Sequence, residues 1–231
     1  MGEHSGETVK LAANDGHSFD AYVARPTDQP PLDQPRAGLV IIQEIFGVNP
    51  HIRGVADSYA AEGYLAIAPA LFDRVEPGIE LGYDKDDVTE GRAIRGKISY
   101  DAALADISAA MGFLAGAGKV GVVGYCWGGS LAWLAATRLN PAAAVCYYGG
   151  NIHEFRNEQP SCPVMLHFGE DDGGIPMDQV KAVAEAQPEA ELFTYPGAGH
   201  GFNCEMRGSY HPESAGIALE RTLAFLHRTL G

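Results

Sequence analysis

Apolar runs of strand length recur along this chain, and segments with helical periodicity separate them. Residues 37–43 read Ala-Gly-Leu-Val-Ile-Ile-Gln, apolar at odd and even positions alike. That is the pattern of a strand buried on both faces, since successive side chains point to opposite sides of a sheet. Tyr64–Ala68, Val120–Gly124, Ala143–Tyr148, Val164–Phe168 and Leu192–Tyr195 repeat it. Helices are predicted over His51–Ala61, Tyr100–Leu114, Trp127–Arg138, Met177–Ala186 and Pro212–Leu230. The last carries Ala215, Leu219, Leu223, Leu226 and Leu230 as its expected apolar face. Alternating strands and helices imply an α/β fold, a mainly parallel central sheet flanked by helices on both faces. Ligands in such folds bind beyond the carboxyl ends of the strands. Two short strands, Thr8–Ala12 and Ser18–Ala24, precede this core, and the Pro-rich stretch Pro26–Pro35 reads as a surface connection.

The chain has 231 residues, which suits one domain with a buried core, so a single domain over 1–231 is expected. Residues 70–98 form its one long polar excursion and are expected to act as a flap, with a short surface helix on a solvated loop as the alternative. Net charge is −14, which argues against nucleic acid or an anionic membrane as partner, because neutralising phosphates needs basic surface. No stretch approaches the eighteen apolar residues of a membrane span, and the N-terminus carries no apolar signal core. A cytoplasmic monomer acting on a small molecule is the expectation. The four cysteines (Cys126, Cys146, Cys162, Cys204) lack zinc-ligand spacing, and Cys146 and Cys162 are expected to be reduced.

The most specific stretch is Val120-Gly-Val-Val-Gly-Tyr-Cys-Trp-Gly-Gly-Ser130. A β-branched strand runs into Gly124-Tyr125-Cys126-Trp127-Gly128, and helix formers follow at once. Glycines two residues either side of Cys126 allow strand and helix to approach closely, which lifts the central side chain clear of the sheet. This is a nucleophile elbow with cysteine at the apex. A helix N-terminus behind Cys126 favours a thiolate and aims N–H groups at a developing oxyanion. The bland alternative is a Gly-rich turn around an inert cysteine.

A nucleophile needs a base, and the base needs a group that orients it. In a strand–elbow–helix fold these follow in the order acid, then histidine. Phe168-Gly-Glu-Asp-Asp-Gly-Gly-Ile-Pro176 runs from a buried strand into acidic residues. Asp172 is the chosen acid because the turn follows it directly, with Asp171 its rival. His200, in Gly197-Ala-Gly-His-Gly-Phe-Asn203 after the last strand, is the candidate base. His167 lies mid-strand and is expected to be a hydrogen-bonded core residue. Glu44, in Gln43-Glu-Ile-Phe-Gly-Val-Asn49, stands at the carboxyl end of an earlier strand, in the loop from which a second oxyanion N–H is drawn. A dinucleotide site is rejected, since Gly121-Val-Val-Gly124 does not fit Gly-x-Gly-x-x-Gly. A metal hydrolase is rejected too, since His153-Glu154 has no second histidine one turn on. Neither cofactor nor metal is expected.

Together, Gln-Glu-Ile-Phe-Gly-Val-Asn, Gly-Tyr-Cys-Trp-Gly-Gly, Asp-x-x-Ile-Pro and Gly-His-Gly-Phe resemble the dienelactone hydrolase family of the α/β-hydrolases, from about residue 18 to the C-terminus. The resemblance implies an α/β-hydrolase fold and a cofactor-independent hydrolase cleaving an ester, lactone or thioester. It implies a triad of Cys126, Asp172 and His200, with the backbone N–H groups of Ile45 and Trp127 as the oxyanion hole. Glu44 matches the carboxylate that partners the resting thiol in this family. Members that cleave dienelactone carry an arginine four residues after the histidine, where this chain has Cys204; the nearest arginine is Arg207, with Arg92 and Arg95 as looser candidates. The alternative function is a redox-responsive or ligand-binding protein on a degenerate hydrolase fold. The Asp–His relay speaks against it, because a sensor thiol needs no relay.

Overall fold

A computed structural model describes residues 6–26 and 35–231; most of the expected Pro-rich connection lies outside them. The chain forms two compact units, Met1–Gly121 and Val122–Gly231. In the first, β1 (Glu7–Ala12) and β2 (Ser18–Ala24) form an antiparallel hairpin with Ala12 opposite Ser18. β4 (Leu65–Pro69) pairs antiparallel with β2, and β3 (Gly38–Ile42) pairs parallel with β4, giving the order β1-β2-β4-β3. Every residue of β3 is buried, as its continuous apolar pattern requires. Burying each of its larger side chains stabilises the unit by roughly 1.5–3 kcal/mol.

Among the described residues this unit holds three α-helices. α1 (Pro50–Ala61) starts at Asn49, whose side chain accepts the Ile52 N–H at 3.3 Å, with proline in the first turn. α2 (Lys85–Arg95) lies inside the polar excursion and starts at Asp84 in a reciprocal capping box with Asp87. α3 (Tyr100–Phe113) is capped by Ser99. The excursion opens with a 3₁₀ turn, Leu71–Arg74, held by Arg74 donating to both oxygens of Asp106 at 2.7 and 2.8 Å. The Asp106 side chain is fully buried, so removing Arg74 would strand a charge in the core.

β5 (Val120–Tyr125) leads into the second unit, where β6 (Ala143–Tyr147), β7 (Val164–Gly169) and β8 (Glu191–Tyr195) follow in the order β5-β6-β7-β8. β6, β7 and β8 are parallel, with Ala144 beside Val164 and Met165 beside Glu191. The helices are α4 (Trp127–Arg138), α5 (Met177–Ala186) and α6 (Pro212–Leu230).

The buried face of α6 differs from the expected one. Ala215, Ala218, Thr222, Phe225, Leu226 and Leu230 are buried, while Leu219 is 39 % exposed. A polar contact sets this rotation. Thr222 Oγ1 lies 2.7 Å from Tyr147 Oη and 3.1 Å from His167 Nε2, which turns the helix face carrying Thr222 inward. His167 is the core histidine its mid-strand position predicts, its other nitrogen 2.8 Å from Tyr195 Oη. Burial, with Arg221 nearby, lowers its pKa to about 3, so the ring is neutral. None of the four cysteines forms a disulfide.

Candidate active site

At the end of β5 the backbone makes the expected sharp turn. Cys126 has φ +56° and ψ −117° and caps α4. A non-glycine residue held in that region is under strain that the surrounding structure must enforce. Two hydrogen bonds enforce it here: Cys126 N–H to the Tyr147 carbonyl at 3.0 Å, and Ser130 N–H to the Cys126 carbonyl at 3.2 Å. Gly124 is obligatory. A Cβ there would overlap the Gly128 carbonyl and stand 2.9 Å from Gly129 N, so only glycine lets strand and helix approach this closely. Trp127 opens α4, whose first-turn N–H groups point back toward the Cys126 end of the helix.

The same unit brings the other two candidates to Cys126. His200 Nε2 lies 3.1 Å from Cys126 Sγ, and His200 Nδ1 lies 2.7 Å from Asp172 Oδ2. The other Asp172 oxygen accepts the Gly174 N–H at 2.8 Å, and the side chain is 1 % exposed. Asp171 has a different part. Its side chain faces solvent, while its N–H donates to the Ala198 carbonyl at 2.9 Å and ties the acid turn to the histidine loop. Burial alone would lower the His200 pKa, but the Cys126 sulfur and the Asp172 carboxylate outweigh it and raise it to about 10. Thiol, imidazole and carboxylate stand in line on opposite edges of one ring rather than converging on a point. That arrangement suits proton exchange between sulfur and ring, with the carboxylate holding the ring, and does not surround a cation.

The histidine loop is seated by groups that the sequence did not single out. Tyr148 sets its ring edge-on to His200, centroids 5.2 Å apart, and has φ +37°. Phe202, fully buried, packs 5.5 Å from Tyr148 and 5.0 Å from Tyr195. Ser209 Oγ donates to the His200 carbonyl at 2.7 Å. Nothing in the spacing around Tyr148 marks it, because its place depends on how β6 ends. Cys204 is fully buried. The guanidinium of Arg207 instead lies across Gly201, with Cζ 2.7 Å from where a Cβ would stand, beside the imidazole-bearing residue.

Glu44 and Ile45 belong to the first unit, just past the carboxyl end of β3. Glu44 is 1 % exposed and Ile45 is half-buried. Gln43 steadies the loop, its Nε2 donating to the Glu44 carbonyl at 3.3 Å and its Oε1 accepting the Leu71 N–H at 3.0 Å.

Parallel strands flanked by helices, with a strained residue between strand and helix and a histidine loop after the last strand, define an α/β-hydrolase. Known proteins narrow the class. The sequence profile of the dienelactone hydrolase family matches residues 19–230. A Synechocystis protein described as "Putative carboxymethylenebutenolidase" is 34 % identical over 93 % of this chain and 93 % of its own. The carboxymethylenebutenolidase of Pseudomonas putida is 32 % identical over 95 % of each chain. The crystal structure of a "Putative Dienelactone Hydrolase" from Klebsiella pneumoniae superposes with a TM-score of 0.81, at 31 % identity, over 95 % of this chain and 98 % of that one. This chain belongs to the dienelactone hydrolase family and is an ester or lactone hydrolase.

Proposed function

We propose that this chain cleaves an ester, lactone or thioester bond of a small molecule through a thioester acyl-enzyme on Cys126, with His200 and Asp172 completing a triad. The observation that carries this reading is the line Sγ–Nε2 at 3.1 Å and Nδ1–Oδ2 at 2.7 Å, set at a strained elbow. The raised His200 pKa fits an imidazolium beside the sulfur in the reacting form, once substrate draws the thiol away from its resting partner. The thiolate attacks the carbonyl carbon, and the oxygen takes the negative charge. Backbone N–H groups of Ile45 and Trp127 are proposed to receive it, each donor contributing on the order of 10²- to 10³-fold. When the intermediate collapses, the C–O or C–S bond breaks and the leaving group takes the imidazolium proton. Water then gives a proton to the neutral imidazole and adds to the thioester. Collapse expels the thiolate, and the thiolate–imidazolium pair returns. Asp172 holds the ring in the tautomer this needs and steadies its charged form.

Glu44 is proposed as the carboxylate that partners the resting thiol, as the family resemblance implies. A cytoplasmic monomer is the proposed working form, since a reducing compartment preserves a thiol nucleophile. Among the described residues no single helix is long and apolar enough to cross a membrane. One catalytic domain is proposed across both units, because the family profile runs through the boundary at Gly121. The direct test is Cys126→Ala. It should cost about 10³-fold or more in kcat/KM on an activated aryl ester while the fold is retained. Near wild-type turnover would remove Cys126 from the reaction.

A further inference from the structure

The polar excursion after β4 does not hang free in its unit; it is stitched, bond by bond, to the loop that follows β3. Leu81 N–H donates to the Phe46 carbonyl at 2.9 Å. Asn49 Nδ2 donates to the Leu81 carbonyl at 3.1 Å and to Tyr83 Oη at 3.0 Å. The Phe46 and Tyr83 rings meet with centroids 4.6 Å apart. Arg53 Nη1 joins the Val48 carbonyl at 2.7 Å to Glu80 Oε1 at 2.6 Å. Gly47, at φ +78°, sits with the Ile79 carbonyl carbon 3.2 Å from where a Cβ would be. Such a segment braces residues 44–49 rather than merely shielding them.

The tightest point of the brace is on α2. Only Gly91 and Ile94 of that helix are buried. A Cβ on Gly91 would overlap the Ile45 carbonyl oxygen and stand 3.1 Å from the carbonyl carbon and 3.5 Å from Ile45 Cβ. Glycine inside a helix is unfavourable by roughly 0.5–1 kcal/mol relative to alanine. Helix propensity thus gives no reason for glycine here, whereas backbone contact with Ile45 does.

We infer that Gly91 is a positioning residue for the reaction, fixing the Ile45 backbone through direct contact of α2 with its carbonyl. This rests on the reading above that the Ile45 N–H serves the oxyanion. The N–H and the carbonyl of Ile45 belong to adjoining peptide planes that share one Cα. Pushing the carbonyl aside by the ångström or so that a methyl group needs turns those planes, and a misplacement of about 1 Å costs on the order of 10²-fold in rate.

The experiment is Gly91→Ala, with Glu90→Ala, an exposed neighbour on the same helix, as control. Three quantities are read: kcat and KM on an activated aryl ester, the rate of Cys126 alkylation by iodoacetamide, and Tm. The expected result is a kcat lower by about 10- to 100-fold with KM within about threefold. Alkylation, which needs no oxyanion donor, should stay within about twofold, and Glu90→Ala should match wild type in all three. An unchanged kcat overturns the proposal, and so does a parallel fall in kcat, alkylation and Tm, which marks damage to the fold alone. If Gly91→Ala does not fold, Tyr83→Phe decides. Loss of its bond to Asn49 should lower kcat several-fold with alkylation unchanged, and no change in kcat overturns the brace. Failure of the cysteine mechanism as a whole is separate, because it shows as turnover that survives Cys126→Ala.

Discussion

Replacing Asp172 by asparagine tests the relay at its most exposed assumption, that one carboxylate sets the state of the ring. The structure dictates how the amide would sit. Gly174 N–H donates to Oδ1 at 2.8 Å, so the amide oxygen would stay there. Its NH₂ would then occupy the Oδ2 position, 2.7 Å from His200 Nδ1. An amide donor there requires Nδ1 to be an acceptor, which puts the ring proton on Nε2 facing the sulfur. That tautomer cannot take a proton from the thiol or from water. Losing the charge-assisted bond alone costs about 1.5–3 kcal/mol, or roughly 10- to 150-fold, and the wrong tautomer carries the loss toward about 10⁴-fold. Asp171→Asn, on an exposed side chain, should stay within about threefold of wild type. Initial rates on an activated aryl ester give kcat/KM for all three proteins, with a melting curve to confirm folding. The pH profile adds an independent reading. The His200 pKa of about 10 predicts that wild-type kcat/KM holds through neutral pH and falls as pH passes about 10 and the imidazolium is lost. In Asp172→Asn that fall should begin at lower pH, since one raising contribution is gone. An Asp172→Asn enzyme within threefold of wild type, or an Asp171→Asn enzyme that loses more, would refute the reasoning.

Two further outcomes are expected. The folded-state pKa of His167, about 3, lies below the unfolded value near 6.5, so its contribution to stability is present above 6.5 and is lost as pH falls toward 3. Between pH 7 and 4.5 denaturant titrations should show wild type losing roughly 2–3 kcal/mol more than His167→Gln; an equal loss would mean that His167 titrates freely. With Cys204 buried, a carboxylate-bearing substrate finds no partner there, so neutral short-acyl esters should show higher kcat/KM than anionic ones with the same scissile bond. An anion preference that disappears in Arg207→Ala would reverse this and assign the charge to the guanidinium lying over Gly201.

The fold was legible where hydrophobicity alone decides it. Strands buried on both faces, such as β3 and β7, and helices such as α4 and α5 emerge from periodicity within a residue or two. The sequence left α2 open because a helix with only Gly91 and Ile94 buried carries almost no apolar stripe. Its usable signal was the Asp84–Asp87 capping box, followed by acidic and then basic turns. The face of α6 came out rotated because a buried threonine bonded to His167 outweighed an exposed leucine. At the site, Cys126 and His200 stood out because the elbow and the Gly-rich loop have few alternative uses. Choosing between Asp171 and Asp172 turns on which side chain a tight turn points inward, and composition does not encode that. Tyr148 lay beyond reach altogether, since its contact with His200 comes from a positive φ at the end of a strand.

Carbon–oxygen or carbon–sulfur cleavage through a covalent acyl group on one sulfur leaves a mass shift that can be seen during turnover. Intact-protein and peptide mass spectrometry after brief mixing with a panel of aryl esters and lactones tests it most directly. A single acyl adduct is expected at Cys126, absent at Cys146, Cys162 and Cys204, and it should decay as product accumulates. Its lifetime should lengthen in Asp172→Asn, where the water-activating base is held in the wrong tautomer. Full turnover with no adduct at Cys126, or with the same adduct in Cys126→Ala, would contradict it.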